Sequence, residues 1–311
     1  MKEERGWKVK ENEVKKEREI KETKVKKERE IKETKVKNAD YYRGRNDYVR
    51  RDRISEEDRI LLDQFLESVD LGEIIVERGP HQLTGRHMCE LLFDEMLSAE
   101  HIDLYLNLLC SESIMTQHGH EIDYLDSPAQ QELMSRPRMD VERMSDAKFD
   151  RLLNDFTIFG TMAFDKLNTA NIFSKTFVMI PINSSEHWFL LVLNPIDKCI
   201  YHWNSIDYSP NFPGIADYVA SFYSKVVERR SGLQIQSEAK WVHGCRQQDG
   251  NLDCGLFVCM WAYCHAVNSE EIWFKAKTCD IKILRPKLAA IFLRHRGVEV
   301  EAKYEIDLAL L

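Results

Sequence analysis

A cysteine opens the most apolar stretch of the chain. Gln248-Asp249-Gly250-Asn251-Leu252-Asp253-Cys254-Gly255 runs straight into Cys254–Val267, whose composition predicts a central, buried helix. A thiol at a helix start meets unpaired backbone N–H groups and the positive end of the helix dipole, and both favour the thiolate. The nearby glycines let backbone approach a substrate closely. Gln248, six residues before the cysteine, carries an amide N–H suited to a developing oxyanion. Two further pieces belong with it. Ser185-Glu186-His187-Trp188 enters a strand-like run, where a rigidly held imidazole can serve as base to a thiol. Trp203-Asn204-Ser205 ends the next such run. Adjacent antiparallel strands bring Asn204 beside His187, where its side chain can orient the ring. A lone cysteine in an apolar helix is ordinarily core packing. The order and spacing of the three pieces together point to nucleophilic catalysis.

The elements that must hold these residues are legible as patterns. Phe177–Asn183, Trp188–Leu193 and Ile200–Trp203 read as three short strands, with Asn194-Pro195-Ile196-Asp197 as the turn between the last two. Trp241-Val242-His243 reads as another short strand. Helical spacing follows Ser55 (Ile60, Leu61, Phe65, Val69), Thr84 (Met88, Leu91, Leu92) and Ser98 (Ile102, Tyr105, Leu106, Leu109). Gly79-Pro80 is a break. Pro213 opens an amphipathic helix, and a last helix covers about Asp280–His295. Residues 117–142, polar and broken by Pro128 and Pro137, read mostly as surface loop. The order is helices, a small sheet, then helices: an α+β fold.

The chain has 311 residues, 43% of them hydrophobic and 31% charged, with 13 Gly and 8 Pro. That excludes a wholly disordered, collagen-like or mucin-like chain. No apolar run approaches the ~18 residues of a membrane span, and no secretory leader is visible. Eight scattered Cys predict free thiols in a reducing compartment, nucleus or cytoplasm. Residues 1–37 hold 15 Lys or Arg and 10 Asp or Glu, whereas the whole chain carries −8, so the body is acidic. An acidic body argues against nucleic acid. Val14–Lys24 (VKKEREIKETK) is repeated letter for letter at Val25–Lys35. An 11-residue period suits a nearly straight helix, but its apolar stripe is thin. The expectation is a charged helical or disordered tail, with a helix that binds a partner protein or dimerises weakly as the alternative. Residues 1–54 are taken as tail and linker, and residues 55–311 as the catalytic unit.

From about Thr84 to Arg294 the chain resembles the SUMO/sentrin-specific (ULP-type) cysteine proteases, relatives of the adenovirus endopeptidase. The resemblance rests on His187-Trp188, on Asn204-Ser205 seventeen residues after the histidine, and on Gln248 followed by Asp253-Cys254-Gly255. Val178–Asn183 and Leu97–Leu106 are also similar to family segments. The resemblance implies a papain-like or adenain-like domain, a small mixed sheet flanked by helices. It implies Cys254 as nucleophile, His187 as general base and acid, and Gln248 as oxyanion donor. Trp188 would cover the Gly-Gly tail of a ubiquitin-like modifier, SUMO first among them, with Asp253 and Gly255 flanking the nucleophile. Two positions depart from the pattern. Asn204 stands where the family has Asp, which removes a charge beside the imidazole; Asp207 is a nearby substitute. Met96 stands where the family has a Trp on the other side of the tail channel.

Other readings are weaker. Cys245, Cys254, Cys259 and Cys264 with His243 and His265 lack any CxxC pair, so no metal or other cofactor is expected. No GxSxG elbow, P-loop or dinucleotide fingerprint is present. Arg50-Arg51-Asp52-Arg53 is too short and acid-diluted for a nuclear signal. The rivals to a modifier-cleaving peptidase are a weakened modifier-binding module and a thioester acyltransferase on the same fold.

Overall fold

The computed structural model describes residues 39–110, 121–136, 138–157, 172, 174–206 and 212–297. The repeat at 14–35 and Asp207 lie outside the described residues. Ser55 caps α1 (Glu56–Glu67), its hydroxyl accepting from the Asp58 N–H at 3.1 Å. A hairpin follows, β1 (Ile74–Arg78) and β2 (His81–Thr84), for which Gly79-Pro80 is the turn. Thr84 and Ser98 start α2 (Gly85–Leu92) and α3 (Ala99–Leu109). Each uses a histidine, His87 or His101, as the third helical residue of a capping box.

Five strands make the main sheet, in the order β3 (Ile122–Tyr124), β4 (Phe177–Ser184), β5 (His187–Asn194), β6 (Cys199–Trp203) and β7 (Ala239–Trp241). The two outer pairings are parallel and the two inner ones antiparallel. All eight residues of β5 are buried because both faces of the sheet are covered. Trp188, Leu190 and Val192 point into one apolar cluster, with α7 (Cys254–Val267) and α9 (Leu284–Arg294). Phe189, Leu191 and Leu193 alternate into a second cluster, beneath α6 (Phe212–Ser231). The period-2 alternation of one strand thus feeds two cores.

Three expectations need correction. The 117–142 stretch contains β3 and α4 (Ser127–Ser135) rather than mostly loop, because Pro128 sits in the first turn of that helix, where its missing N–H costs nothing. Residues 39–54 are not a bare linker, since Tyr42 and Tyr48 are buried in the first cluster. The strand expected at 241–243 ends at Trp241. Helices α5 (Asp146–Thr157) and α8 (Glu270–Thr278) complete the body. No helix among the described residues is long and apolar enough to cross a membrane.

The turn before the candidate base is strained. Ser185 and Glu186 both have positive φ, 53° and 64°, between the paired Ser184 and His187. A two-residue hairpin of this hand favours Asn-Gly. Replacing Ser185-Glu186 by Asn-Gly is expected to stabilise the fold by about 1 kcal/mol and raise Tm by about 2–4 °C. A thermal melt checks this; an unchanged or lower Tm would show that the native pair relieves the strain elsewhere.

Candidate active site

The sheet register explains how the base finds its partner. Leu190 pairs with Trp203, so one further step sets Asn204 opposite Phe189, a same-face neighbour of His187. The His187 Nε2–H donates to Asn204 Oδ1 at 2.8 Å, and both residues are buried. With that proton on Nε2, the neutral ring keeps its lone pair on Nδ1, the form a general base needs. Asn204 Oδ1 also accepts from the Ile206 N–H at 3.0 Å, which fixes the side chain. Its Nδ2 is buried and has no hydrogen-bond partner among the described residues.

Cys254 is the first residue of α7 and 1% exposed. The backbone N–H groups of Trp188, Gly255 and Cys254 itself face its sulfur. The Trp188 amide sets the start of β5, and with it His187 one residue earlier, against the nucleophile. Burial nevertheless pushes the thiol above its ordinary value, and those N–H groups only partly oppose the shift. Burial likewise holds His187 below its ordinary value, against the hydrogen bond it donates to Asn204. At neutral pH the thiol and the imidazole therefore both rest neutral. The thiolate favoured by the helix start does not outweigh the desolvation.

Gln248 is pinned on its acceptor side. Ser205 Oγ donates to Gln248 Oε1 at 2.7 Å, and the Gln248 backbone N–H donates to the Ser205 carbonyl at 2.9 Å. One Nε2–H donates to the Gly250 carbonyl. The amide has a second hydrogen, the one an oxyanion would take. Ser205 was visible as part of the Asn-Ser motif, but its role in orienting Gln248 was not read from the sequence.

Trp188 is 1% exposed, and its ring N–H donates to the Leu97 carbonyl at 2.9 Å. The ring expected to cover a peptide tail lies beneath the surface, tied to the segment that carries Met96. Met96 is half-buried against the same cluster. Gly255 is where these parts touch, because an added Cβ would meet Leu97 Cβ at 2.8 Å and Ile102 Cδ1 at 3.4 Å. Gly255→Ala is expected to cost about 1–3 kcal/mol by overpacking. It should also lower activity by displacing Leu97 from Trp188. Melts and turnover should fall together; normal values for both would mean that Leu97 yields freely. Asp253 is buried and ion-paired to Arg285 at 3.0 Å. Thus Cys254, His187, Asn204, Trp188, Asp253 and Gly255 gather at one end of the sheet, with Gln248 joined through Ser205 and Met96 through Leu97.

Comparison with known proteins gives the chain a family and a fold. The family described as "Ulp1 protease family, C-terminal catalytic domain" matches residues 95–296. Ubiquitin-like protease 4 of Caenorhabditis elegans is 25% identical over 190 residues, 56% of this chain and 47% of that protein. The chain thus spans about half the length of this curated relative. The yeast Ulp1 protease domain, solved in complex with Smt3, the yeast ortholog of SUMO, superposes with a TM-score of 0.53 at 19% identity. That match covers 78% of this chain and 96% of the other. The catalytic domain of a Chaetomium thermophilum Ulp1-like SUMO protease gives 0.55 at 19% identity, over 79% and 92%. The two structures share the fold, and because the family match covers more than half of the sequence, the chain belongs to the Ulp1 protease family.

Proposed function

We propose that the protein is a cysteine peptidase that cleaves after the C-terminal Gly-Gly of a ubiquitin-like modifier, with SUMO as the modifier. The observation that carries the reading is the His187–Asn204 hydrogen bond on the strand whose next amide, that of Trp188, faces the Cys254 sulfur. His187 Nδ1 takes the thiol proton as sulfur attacks the glycine carbonyl. The oxyanion is met by the Cys254 N–H and the second Gln248 amide hydrogen. The imidazolium then protonates the leaving amine, and the thioester is hydrolysed by a water that His187 deprotonates in turn. Trp188 forms a fixed wall for the glycine tail, and Met96 is the movable wall that yields to admit it. The catalytic unit is residues 55–311, with 39–54 packed upon it and residues 1–38 appended. Its free thiols suit the nucleus or cytoplasm.

The test is labelling by C-terminal electrophile probes built on SUMO, ubiquitin and the cullin-type modifier, beside Cys254→Ala. The SUMO probe should label the native chain and not the variant. Labelling by another probe alone would replace SUMO as the substrate. No labelling of folded protein would favour the modifier-binding module.

A further inference from the structure

Arg285, on the first turn of α9, is 0% exposed although it carries a full charge. Its Nη2 donates to Asp253 Oδ1 at 3.0 Å and to the Leu252 carbonyl at 3.1 Å. Its Nη1 donates to the Glu95 carbonyl at 2.6 Å and to the Leu91 carbonyl at 3.4 Å. Its Nε lies 3.0 Å from Asp94 Oδ1, and the other Asp94 oxygen takes Lys282 at 2.6 Å. Two carboxylates are thereby balanced by two cations. One planar fork joins the residues before the nucleophile to the residues before Met96 and Leu97.

Burying such a network costs several kcal/mol per ion, and packed apolar residues often replace one without loss of stability. Its use is visible at Asp253. This residue is the N-cap of α7, where an aspartate ordinarily turns its carboxylate onto the first helical N–H groups. Here it makes no side-chain cap, because Arg285 holds the carboxylate elsewhere. The N–H groups of Cys254 and Gly255 are left facing the sulfur.

We infer that Arg285 is a positioning residue that clamps Asp253 off the start of the nucleophile helix, keeping the Gly255 N–H, the second of the helix, for the sulfur. This rests on Cys254 being the nucleophile. Released, the Asp253 carboxylate would cap the helix, compete for the Gly255 N–H and place an uncompensated negative charge beside the thiol. Asp253 already acts to raise the thiol's pKa. Among the described residues, Asp94, Lys282, His187 and the buried His101, which feels the Arg285 charge, also surround the site.

The experiment alkylates the full chain with iodoacetamide across pH and follows the Cys254 peptide by mass spectrometry, with melts in parallel. Arg285→Met should raise the Cys254 midpoint by about one pH unit, tenfold less thiolate at a given pH. It should lower kcat at least as much, with KM little changed. Arg285→Met/Asp253→Ala, which has no carboxylate to swing, should return the midpoint to the native value. Arg285→Met/Asp253→Asn should not, because asparagine still caps. The two double variants carry no unpaired carboxylate at 253, so they decide the matter even if Arg285→Met fails to fold. Equal midpoints in the two double variants, or a lowered Tm with a native midpoint in Arg285→Met, would overturn the clamp. The alkylation reads the thiol without substrate, so failure of the modifier probes on native protein stays a separate result.

Discussion

His187→Ala is expected to lower kcat/KM on a modifier C-terminal amide by at least roughly 10³-fold, while leaving affinity for the uncleaved modifier unchanged. The size follows from the resting state. Burial raises the Cys254 thiol and lowers the imidazole, so almost no thiolate exists before substrate arrives. The nucleophile must be made within the reaction, and His187 is the base proposed to take the proton. Affinity is measured in a Cys254→Ala background, which removes turnover. The native pH profile carries the same logic. His187 must be neutral to act and its pKa lies below 6.5, so the ascending limb of kcat/KM should fall below pH 6.5. A loss under tenfold, or an ascending limb above pH 8, would mean that the thiol ionises without the imidazole.

Asn204→Asp is the second large effect, and it runs the other way. The carboxylate would occupy the place of a side chain whose Oδ1 already accepts from His187 and whose Nδ2 is buried without a partner among the described residues. An unsatisfied buried donor costs ~1–3 kcal/mol, and an acceptor in its place has no hydrogen to leave unpaired. A negative charge at hydrogen-bond distance favours imidazolium and should raise the His187 pKa by about 1–3 units. Imidazolium in turn favours thiolate, so the Cys254 alkylation midpoint should fall. The resting pair would move from neutral to ionic, and the ascending limb of kcat/KM would move to higher pH with the histidine. NMR titration of His187 reads the first shift and peptide-resolved alkylation the second. If neither moved, Asn204 would be no more than a spacer.

Much of the site was legible because its parts are local. Cys254 and Gly255 share a helix start, His187 and Trp188 share a strand start, and hydrophobic periodicity locates both. The pairing of Asn204 with His187 needed only the strand register. Contacts across long loops were not legible. Nothing around Leu284-Arg285-Pro286 suggests a charge buried beneath the nucleophile, because the residues it binds come from two distant segments. Trp188 was expected as a cover for the substrate, yet the Leu97 carbonyl that anchors its ring is a backbone atom without a sequence signature. The β1–β2 hairpin was missed because four- and five-residue strands offer too few alternations. Helix α8 was missed because its single buried residue, Ala276, leaves almost no apolar stripe, although Ser269, two early glutamates and two late lysines mark its ends.

The two apolar clusters on either face of β5 have a consequence for how the protein loses its structure. Cys254 belongs to one cluster, while the strand face that carries Asn204 belongs to the other. An intermediate with either cluster melted still holds half of the proposed catalytic pair but cannot bring the halves together. Inactivation in denaturant should therefore follow whichever cluster melts first, even where much helical signal survives. The amide protons of β5, shared by both, should be among the last to exchange with solvent. In the proposed reaction the site is silent until both cores have closed on one strand, so a newly made or damaged chain cannot cut.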